Sequence, residues 1–435
     1  LTKRYSCAMQ NQAHVDSWYA ATANLKLDLP PLQGTANTDV CVIGGGYTGL
    51  STAIHLRQLG YSVTLLEANK IGWGASGRNG GHVGTGQRLD QAQLEKWLGL
   101  DHAKALWQLG LEAVDTVCGL IEQHHIDCEL KQGNLHVASK AADIASLPGE
   151  VEHLQRVYDY QQIRHVDAAE LAQMTSACGF GGAILNLGSR HLHPLNYALG
   201  LARAAVALGA QLHEGSQVLS YTQDDQVSVH TDCGEVRARF LVVACNGYLE
   251  KLEPRTAGHI MPINNYMLAT EPLAEDLARR LIRDDTSIAD SRFVINYWKL
   301  SADNRLLFGG GESYSNRFPA DIKGFVRNYM LRIYPELADT RIDYGWGGTL
   351  AITLKRMPDF GRLGPNAFYA HGYSGHGVPI ATLAGKLLAE VISGTAERFD
   401  VMASVPASRF PGGTLLRWPA LVAGMLFYSL RDRIG

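Results

Sequence analysis

The feature that most constrains the fold is a run of glycines between a predicted strand and a predicted helix. Residues 39–43 (Asp-Val-Cys-Val-Ile) form a short apolar run, which is typical of a buried parallel strand. The pattern Gly-x-Gly-x-x-Gly follows over residues 44–49, and apolar residues at helical spacing continue from Leu50 to Leu59. A second predicted strand runs from Tyr61 to Glu67. The sequence therefore predicts an α/β fold that opens with a βαβ dinucleotide-binding unit.

The spacing of these glycines suits a phosphate group that approaches the start of the helix. Gly44 permits a tight turn, Gly46 lets the backbone approach a pyrophosphate, and Gly49 lets the helix close on the strand. The backbone N–H groups of the first helical turn, which includes Tyr47 and Thr48, then point at the phosphates. We therefore expect a dinucleotide to bind here.

An acidic residue at the end of the second predicted strand indicates which dinucleotide this is. Glu67 stands 18 residues after Gly49 and is followed by Ala68. A carboxylate there can accept hydrogen bonds from an adenosine ribose, whereas it would repel a 2′-phosphate. NADP is thus disfavoured, and both FAD and NAD remain compatible with this motif.

Two further glycine-rich segments favour FAD. Residues 74–81 (Gly-Ala-Ser-Gly-Arg-Asn-Gly-Gly) have almost no bulky side chains, as expected where backbone lies against a large flat ring, and Arg78 can add charge near a pyrophosphate. Residues 372–377 (Gly-Tyr-Ser-Gly-His-Gly) open another helix, whose first N–H groups could stabilise negative charge on a flavin. The alternatives are a flexible surface loop and an ordinary glycine-rich helix start.

Composition and charge argue against several other classes of protein. The 435-residue chain has a net charge of -3 and no runs of Lys or Arg, which speaks against a nucleic-acid partner and an RNA-modifying flavoprotein. The seven cysteines show no metal-binding spacing, and their odd number favours a reducing, cytoplasmic compartment. We expect no metal. The polar residues 1–24 predict no secretory signal.

One apolar segment lies near the C-terminus. Residues 419–430 are shorter than the roughly 18 apolar residues that a membrane-spanning helix needs. Arg417 and Arg431 flank the segment, as they would in a helix lying at a membrane surface. A packed C-terminal helix is the favoured interpretation, and membrane contact is the alternative.

These motifs together resemble the D-amino-acid oxidase superfamily of flavoenzymes, which includes glycine and sarcosine oxidases. Within it the chain is similar to the bacterial γ-glutamylputrescine oxidases over nearly its whole length. The segments that carry the resemblance are 17–21, 39–56, 65–81, 191–196, 302–311, 357–364, 372–378, 410–413 and 429–433.

The resemblance implies a Rossmann-type FAD-binding domain and a discontinuous, sheet-rich substrate domain. The segments assigned to the FAD-binding domain are 36–128, 190–257 and 342–410, and those of the substrate domain are 129–189 and 258–341. Residues 1–35 would form an N-terminal arm and 411–435 a C-terminal helical segment. The implied FAD-binding residues are Gly44, Gly46, Tyr47, Thr48, Gly49, Glu67, Ala68, Ala75, Ser76, Gly77, Arg78, Asn79, Gly80, Gly81, Val218, Asn246, Gly247, Trp346, Gly372, Tyr373, Gly375, His376, Gly377 and Val378.

The implied reaction is the FAD-dependent oxidation of a small-molecule amine, such as γ-glutamylputrescine, to an imine that hydrolyses to an aldehyde. O2 would be the electron acceptor, and an amine or amino-acid dehydrogenase that passes electrons to a membrane quinone is the alternative. Sarcosine-oxidase relatives place a lysine over the flavin. Lys299 lies near a hairpin predicted from residues 293–298 and 306–309, without a secure alignment to that lysine.

The same hairpin supplies the candidates for the substrate pocket. Tyr297 and Trp298 should flank the substrate if the hairpin lies over the flavin, and ordinary sheet packing is the alternative. His376 is a candidate for proton transfer or a structural residue of its loop. Arg292 and Arg305 could bind a substrate carboxylate, although solvated surface charges are the favoured interpretation.

Overall fold

Two β-sheets carry the fold of the residues that the structure describes. This computed structural model describes residues 12–292, 294–313 and 318–414. The strands are β1 (Gly34–Ile43), β2 (Val63–Leu66), β3 (His82–Val83), β4 (Lys131–Ala138), β5 (Ile163–Val166), β6 (Gly182–His191), β7 (Gln211–His213), β8 (Ser220–Gln223), β9 (Val227–His230), β10 (Gly234–Val243), β11 (Ile260–Thr270), β12 (Ser287–Asp290), β13 (Tyr297–Leu300), β14 (Leu306–Ser313), β15 (Ile342–Thr353), β16 (Asp359–Arg362) and β17 (Ala367–His371). The helices are α1 (Trp18–Ala21), α2 (Tyr47–Gln58), α3 (Gln91–Leu98), α4 (Leu100–Gln123), α5 (Ala141–Tyr158), α6 (Ala168–Met174), α7 (Pro194–Ala207), α8 (Pro254–Ala257), α9 (Glu275–Leu281), α10 (Ile322–Ile333), α11 (Gly377–Ile392) and α12 (Glu397–Ala403).

The first sheet has the order β16-β17-β10-β1-β2-β7; β9 also pairs with β10, and β8 pairs with β9. Its central strand β1 pairs in parallel with both β10 and β2. The apolar end of β1, from Val40 to Ile43, is buried, as expected for a parallel strand covered on both faces. Helix α2 follows β1 and packs against α7 and α11. The predicted α/β fold with a Rossmann-type opening is confirmed.

The second sheet has the order β15-β11-β14-β13-β12-β4-β6-β3, and β5 pairs with β6. Its strand neighbours are antiparallel except for β12 and β4. Since successive side chains of a strand point to opposite faces, the sheet has two different surfaces. On β11, Met267 and Ala269 join the core shared with α2 and α11, whereas Tyr266 and Leu268 join a second core with α10.

The hairpin predicted near residue 300 is present, with different bounds. Its strands are β13 and β14, so the first begins four residues later than the predicted start at 293, which lies outside the described residues. No sequence pattern predicted β11 and β15, the longest described strands of the second sheet. The division of the chain into domains stays a prediction. Strand β15 begins at the proposed boundary at 342 and pairs with β11 in the second sheet.

The C-terminal apolar segment cannot be placed in this fold, because residues 415–435 lie outside the described residues. Among the helices that are described, none combines the length and the apolar character required to cross a membrane.

Candidate active site

The first glycine loop is shaped by close contacts between backbone segments. Gly44 has φ +113°, and a Cβ atom built on it would lie 2.7 Å from the Ala244 carbonyl oxygen. A Cβ on Gly49 would lie 1.9 Å from the carbonyl oxygen of Gly44, so only glycine lets the first turn of α2 approach the end of β1. These contacts agree with the roles predicted for both residues.

Glu67 closes this loop from the neighbouring strand. Its Oε2 accepts a hydrogen bond from the Gly45 N–H at 2.7 Å, and its Oε1 accepts one from the Asn69 N–H at 2.8 Å. Burial raises the pKa of Glu67, and these backbone donors oppose that rise. Each carboxylate oxygen has two lone pairs, so each keeps capacity to accept a further bond from a ribose hydroxyl.

The second glycine segment is attached to the start of α2 through Tyr47. The Tyr47 N–H donates to Ser76 Oγ at 3.1 Å, and the Tyr47 hydroxyl donates to the Ser76 carbonyl at 2.6 Å. Asn79 shapes the segment, since its amide donates to the Ala75 carbonyl at 3.0 Å and its Oδ1 accepts from the Gly81 N–H at 2.7 Å. The side chain of Asn79 is therefore occupied within the protein.

The glycines of this segment lie directly against other parts of the chain. A Cβ on Gly77 would come within 2.3 Å of the Gly72 carbonyl oxygen, and a Cβ on Gly80 within 2.6 Å of the Tyr297 ring. Gly81 has φ +74°, and its Cβ would lie 2.0 Å from the Leu192 carbonyl oxygen. The segment thus forms a flat backbone surface that side chains at these positions would disrupt.

Arg78 is the one charged residue of the segment, and only 6% of it is exposed. Its Nε donates to the Trp73 carbonyl at 2.6 Å, and its guanidinium lies 4.3 Å from the centre of the Trp73 indole ring. Its carbonyl accepts a bond from Trp346 Nε1 at 3.0 Å. Arg78 Nη2 is buried without a hydrogen-bond partner among the described residues. Because burying an unpaired charge is costly, this donor suits an anionic ligand.

The third glycine loop meets the first through Tyr373. The hydroxyl groups of Tyr373 and Thr48 are 2.6 Å apart, so this tyrosine joins the two loops. Gly372 has φ +75°, and its N–H donates to Asn246 Oδ1 at 2.9 Å. Gly375 has no atom within 4 Å of a built Cβ, so this loop has open space beside it.

His376 precedes α11 and contacts the backbone near Gly84. A Cβ on Gly84 would lie 2.8 Å from His376 Cε1. Burial, aided by the charge of Arg88, lowers the pKa of His376 to about 4, so the imidazole is neutral at pH 7. Its Nε2 is buried and has no partner within the described part of the chain. A role in proton transfer stays a prediction.

Strand β13 places Tyr297 and Lys299 on the side of the glycine loops. Lys299 is 2% exposed, and its Nζ donates to the Leu192 carbonyl at 2.5 Å. The same Nζ lies 3.2 Å from a Cβ built on Gly81. Burial lowers the pKa of Lys299 to about 8. The Tyr297 hydroxyl donates to Asn265 Oδ1.

Trp298 lies on the opposite face of the sheet, so its prediction as a pocket residue is wrong. Its ring stacks on Phe308 with centroids 5.5 Å apart, and its Nε1 donates to the Tyr334 hydroxyl at 2.9 Å. The physical reason is the alternation of side chains along a strand, which separates Trp298 from Tyr297 and Lys299.

Three other candidates have surroundings that the sequence did not indicate. Val218 packs in a hydrophobic cluster of the first sheet, so only its backbone could contact a ligand. Arg292 pairs with Asp290, and Arg305 pairs with Asp303 and Asp343. Both guanidinium groups are therefore paired with carboxylates of the chain itself, and their binding of a substrate carboxylate stays a prediction. The remaining predicted FAD contacts, including Ala68, Gly247 and Val378, stay predictions.

The sequence-based predictions did not include two residues that lie near the loops, Arg88 and Tyr19. Arg88 Nε donates to the Ser374 carbonyl at 3.2 Å, which places this guanidinium beside the third loop. Arg88 follows the second glycine segment closely in the sequence, and this proximity could have indicated it as a site residue. Tyr19 of the N-terminal arm is fully buried and packs on Trp346 with ring centroids 5.2 Å apart. No local signal identified that long-range contact.

Comparisons with known proteins place this site in a family. The family described as "FAD dependent oxidoreductase" matches residues 39–391. The chain belongs to this family. It is therefore an FAD-dependent enzyme.

Individual relatives match over nearly the whole of this oxidoreductase. γ-Glutamylputrescine oxidoreductase of Escherichia coli (strain K12) is 42% identical over 97% of this chain and 99% of its own length. The probable oxidoreductase OrdL of Rhizobium meliloti is 39% identical over 96% of this chain and 97% of its own length. The crystal structure of glycine oxidase from Geobacillus kaustophilus has a TM-score of 0.74 at 20% identity, covering 87% of this chain and all of that one. This last likeness concerns the fold alone.

The residues present in this FAD-dependent oxidoreductase fit its cofactor. The third glycine loop has open space beside Gly375, and the buried Nη2 of Arg78 and Nε2 of His376 are polar atoms without a partner in the described part of the chain. Glu67 keeps acceptor capacity for a ribose. We propose that Glu67 and the first two glycine segments hold the nucleotide part of FAD.

Replacing Glu67 by Ala is expected to weaken FAD binding by at least about tenfold. The change removes up to two hydrogen bonds to a ribose, each worth about 1.5–3 kcal/mol when charge-assisted, and about 1.4 kcal/mol corresponds to one decade. Titration of the apoprotein with FAD, followed by the quenching of flavin fluorescence, measures the affinity. Glu67→Gln is the matched control for shape. An Ala variant that binds FAD as tightly as the parent would contradict the assignment.

Proposed function

We propose that this enzyme oxidises an amine that carries a remote carboxylate, with γ-glutamylputrescine or a related γ-glutamyl-polyamine as substrate and O2 as acceptor. The observation that carries the proposal is the 42% identity to γ-glutamylputrescine oxidoreductase over nearly the whole chain. FAD, when bound, supplies the capacity to accept two electrons from the amine. The protein then has to bind and orient the amine and exclude water from it.

The residues beside the loops suit an uncharged amine. Amines of this class have a solution pKa near ~10, so a proton must leave before oxidation. Tyr297 forms an aromatic surface against Gly80, and His376 is a neutral imidazole. Neither side chain brings a negative charge that would hold the substrate as a cation. The site therefore favours the neutral form of the amine.

Arg88 is the candidate partner for the substrate carboxylate. Its Nε is hydrogen-bonded to the Ser374 carbonyl, and its charge acts on both His376 and His136. The guanidinium thus lies between the third glycine loop and strand β4 of the second sheet. A guanidinium can bind a carboxylate with two parallel hydrogen bonds, which would fix the distance between the carboxylate and the reacting amine.

Amine-dependent formation of hydrogen peroxide tests this function. We expect turnover of γ-glutamylputrescine far above that of free putrescine and of simple D-amino acids, because only the first combines an amine with a remote carboxylate. Arg88→Gln should raise KM for the glutamylated amine at least about tenfold, since a charge-assisted bond is worth about 1.5–3 kcal/mol. FAD content, read from the visible absorbance, should stay unchanged.

Arg362→Gln serves as the matched control, because Arg362 pairs with Asp400 at the surface. Its KM should equal that of the parent. Preferred turnover of putrescine or D-amino acids would overturn the substrate proposal. Rapid reduction of the enzyme by the amine, with slow oxidation by O2 and fast oxidation by a quinone, would instead favour a dehydrogenase.

A further inference from the structure

The N-terminal arm precedes the segment that matches the family model, and two of its aromatic side chains are buried near the cofactor loops. Residues 12–24 precede the matched region, which begins at residue 39. Within the arm, Trp18 is 2% exposed and Tyr19 is fully buried. Ser17 caps the short helix α1, since its Oγ accepts a hydrogen bond from the Ala20 N–H at 3.1 Å. The surface that receives these residues is formed by Asn69 and Trp73, which precede the second glycine segment, and by His193 and Trp346.

The first part of the arm contacts the residues that precede Arg78. Trp73 Nε1 donates to the Ala13 carbonyl at 3.0 Å, and the Gln12 N–H donates to Asn69 Oδ1 at 3.3 Å. The indole of Trp73 also supports the Arg78 guanidinium, 4.3 Å from the ring centre. The arm therefore positions Trp73, and Trp73 supports the guanidinium of Arg78, the only charged residue of the segment 74–81.

The second contact passes through Tyr19. Its ring meets that of Trp346 edge to face at 5.2 Å, and Trp346 Nε1 donates to the Arg78 carbonyl at 3.0 Å. Tyr19 thus supports Arg78 from the backbone side, while Trp73 supports it from the guanidinium side. The Tyr19 hydroxyl is buried without a hydrogen-bond partner among residues 12–292, 294–313 and 318–414.

His193 anchors the end of the arm. The rings of Trp18 and Tyr19 lie 5.1 and 4.9 Å from its imidazole. His193 Nδ1 accepts from the Asn196 N–H at 3.1 Å, so its Nε2 carries the proton and donates to Thr22 Oγ1 at 3.0 Å. Thr22 in turn donates to the Trp18 carbonyl at 2.6 Å. Each group in this series of hydrogen bonds has a defined donor or acceptor role, which gives the arm one specific position.

We propose that residues 12–24 form a strap that holds the segment 69–81 in its FAD-binding conformation, with Trp18 and Tyr19 as positioning residues. A segment this rich in glycine has many conformations open to it when unsupported. A ligand's apparent affinity falls with the fraction of the protein in the competent conformation. The strap raises that fraction, and its detachment opens the route by which FAD leaves.

The test is the rate of FAD release from the holoenzyme, followed by the rise of flavin fluorescence on dilution. Tyr19→Ala is expected to release FAD at least about tenfold faster than the parent. Phe399→Ala is the matched control, because Phe399 is equally buried but packs on Phe360 and Phe368. It should lose thermal stability while its release rate stays within about twofold of the parent.

Two milder variants keep the proposal testable if Tyr19→Ala does not fold. Thr22→Val keeps the shape of the side chain but removes the bonds to His193 and to the Trp18 carbonyl, and Trp73→Phe removes the bond to Ala13. Both should release FAD faster and increase hydrogen exchange at the backbone amides of residues 72–81. Release rates equal to the parent in these variants would overturn the proposal. So would an equal acceleration in Phe399→Ala, because general destabilisation would then explain the effect.

Discussion

Valine in place of Gly46 is expected to leave a folded chain that has lost its FAD. A Cβ built on Gly46 meets only Ser76, with the Oγ at 2.9 Å, and this small side chain can rotate away. The branched side chain would nevertheless stand where the backbone must approach the phosphates. We expect the affinity for FAD to fall at least about 100-fold, which corresponds to about 2.7 kcal/mol. Absorbance of the purified protein and titration of the apoprotein measure the loss.

Two other glycines separate cofactor loss from failure to fold. Gly49→Val should not fold, because its Cβ would lie 1.9 Å from the Gly44 carbonyl oxygen. Gly119 lies in α4 with no atom within 4 Å of a built Cβ, so Gly119→Val should retain FAD like the parent. If Gly46→Val bound FAD at the parent level, the first glycine loop would not be the phosphate site.

Lys299→Met is expected to slow the oxidation of the reduced enzyme by O2 on the order of 100-fold, the usual effect of losing one preorganised electrostatic group. The first electron transferred to O2 makes an anion, which a buried positive charge beside Gly81 would stabilise. The pKa of Lys299 lies at about 8, so the cation is present below that pH and is lost above it. The parent rate should therefore fall as the pH rises through about 8, whereas the rate of the Met variant should not change.

Stopped-flow mixing of anaerobically reduced enzyme with O2 isolates this step. Reduction by the amine, measured without O2, should be much less affected than oxidation. Lys386→Met is the control, because Lys386 pairs with Glu112 on the outside of α11. Oxidation rates equal to the parent in Lys299→Met would show that Lys299 does not assist O2.

The parts of the site that were predictable depend on short stretches of chain. The first glycine loop, α2 and Glu67 lie within about 30 residues of one another, the usual size of a βαβ unit. Gly49 is required there by a residue of the same loop, because its Cβ would lie 1.9 Å from the Gly44 carbonyl oxygen. The hairpin of β13 and β14 is also local in the sequence, because a short turn joins its two strands. Local chemistry was therefore sufficient to predict the cofactor and the fold class.

What the sequence determined by itself was thus the βαβ unit, the glycine loops and, through a resemblance over the whole chain, the family. Only the tertiary structure decided which face of β13 meets the loops, because a strand presents alternate side chains to two surfaces and its sequence does not say which one is covered. That choice put Lys299 beside Gly81 and Trp298 in the other core. The packing of the N-terminal arm likewise brings Tyr19 into contact with Trp346, more than 300 residues away in the sequence. Such contacts depend on how distant elements pack, and no local pattern records them.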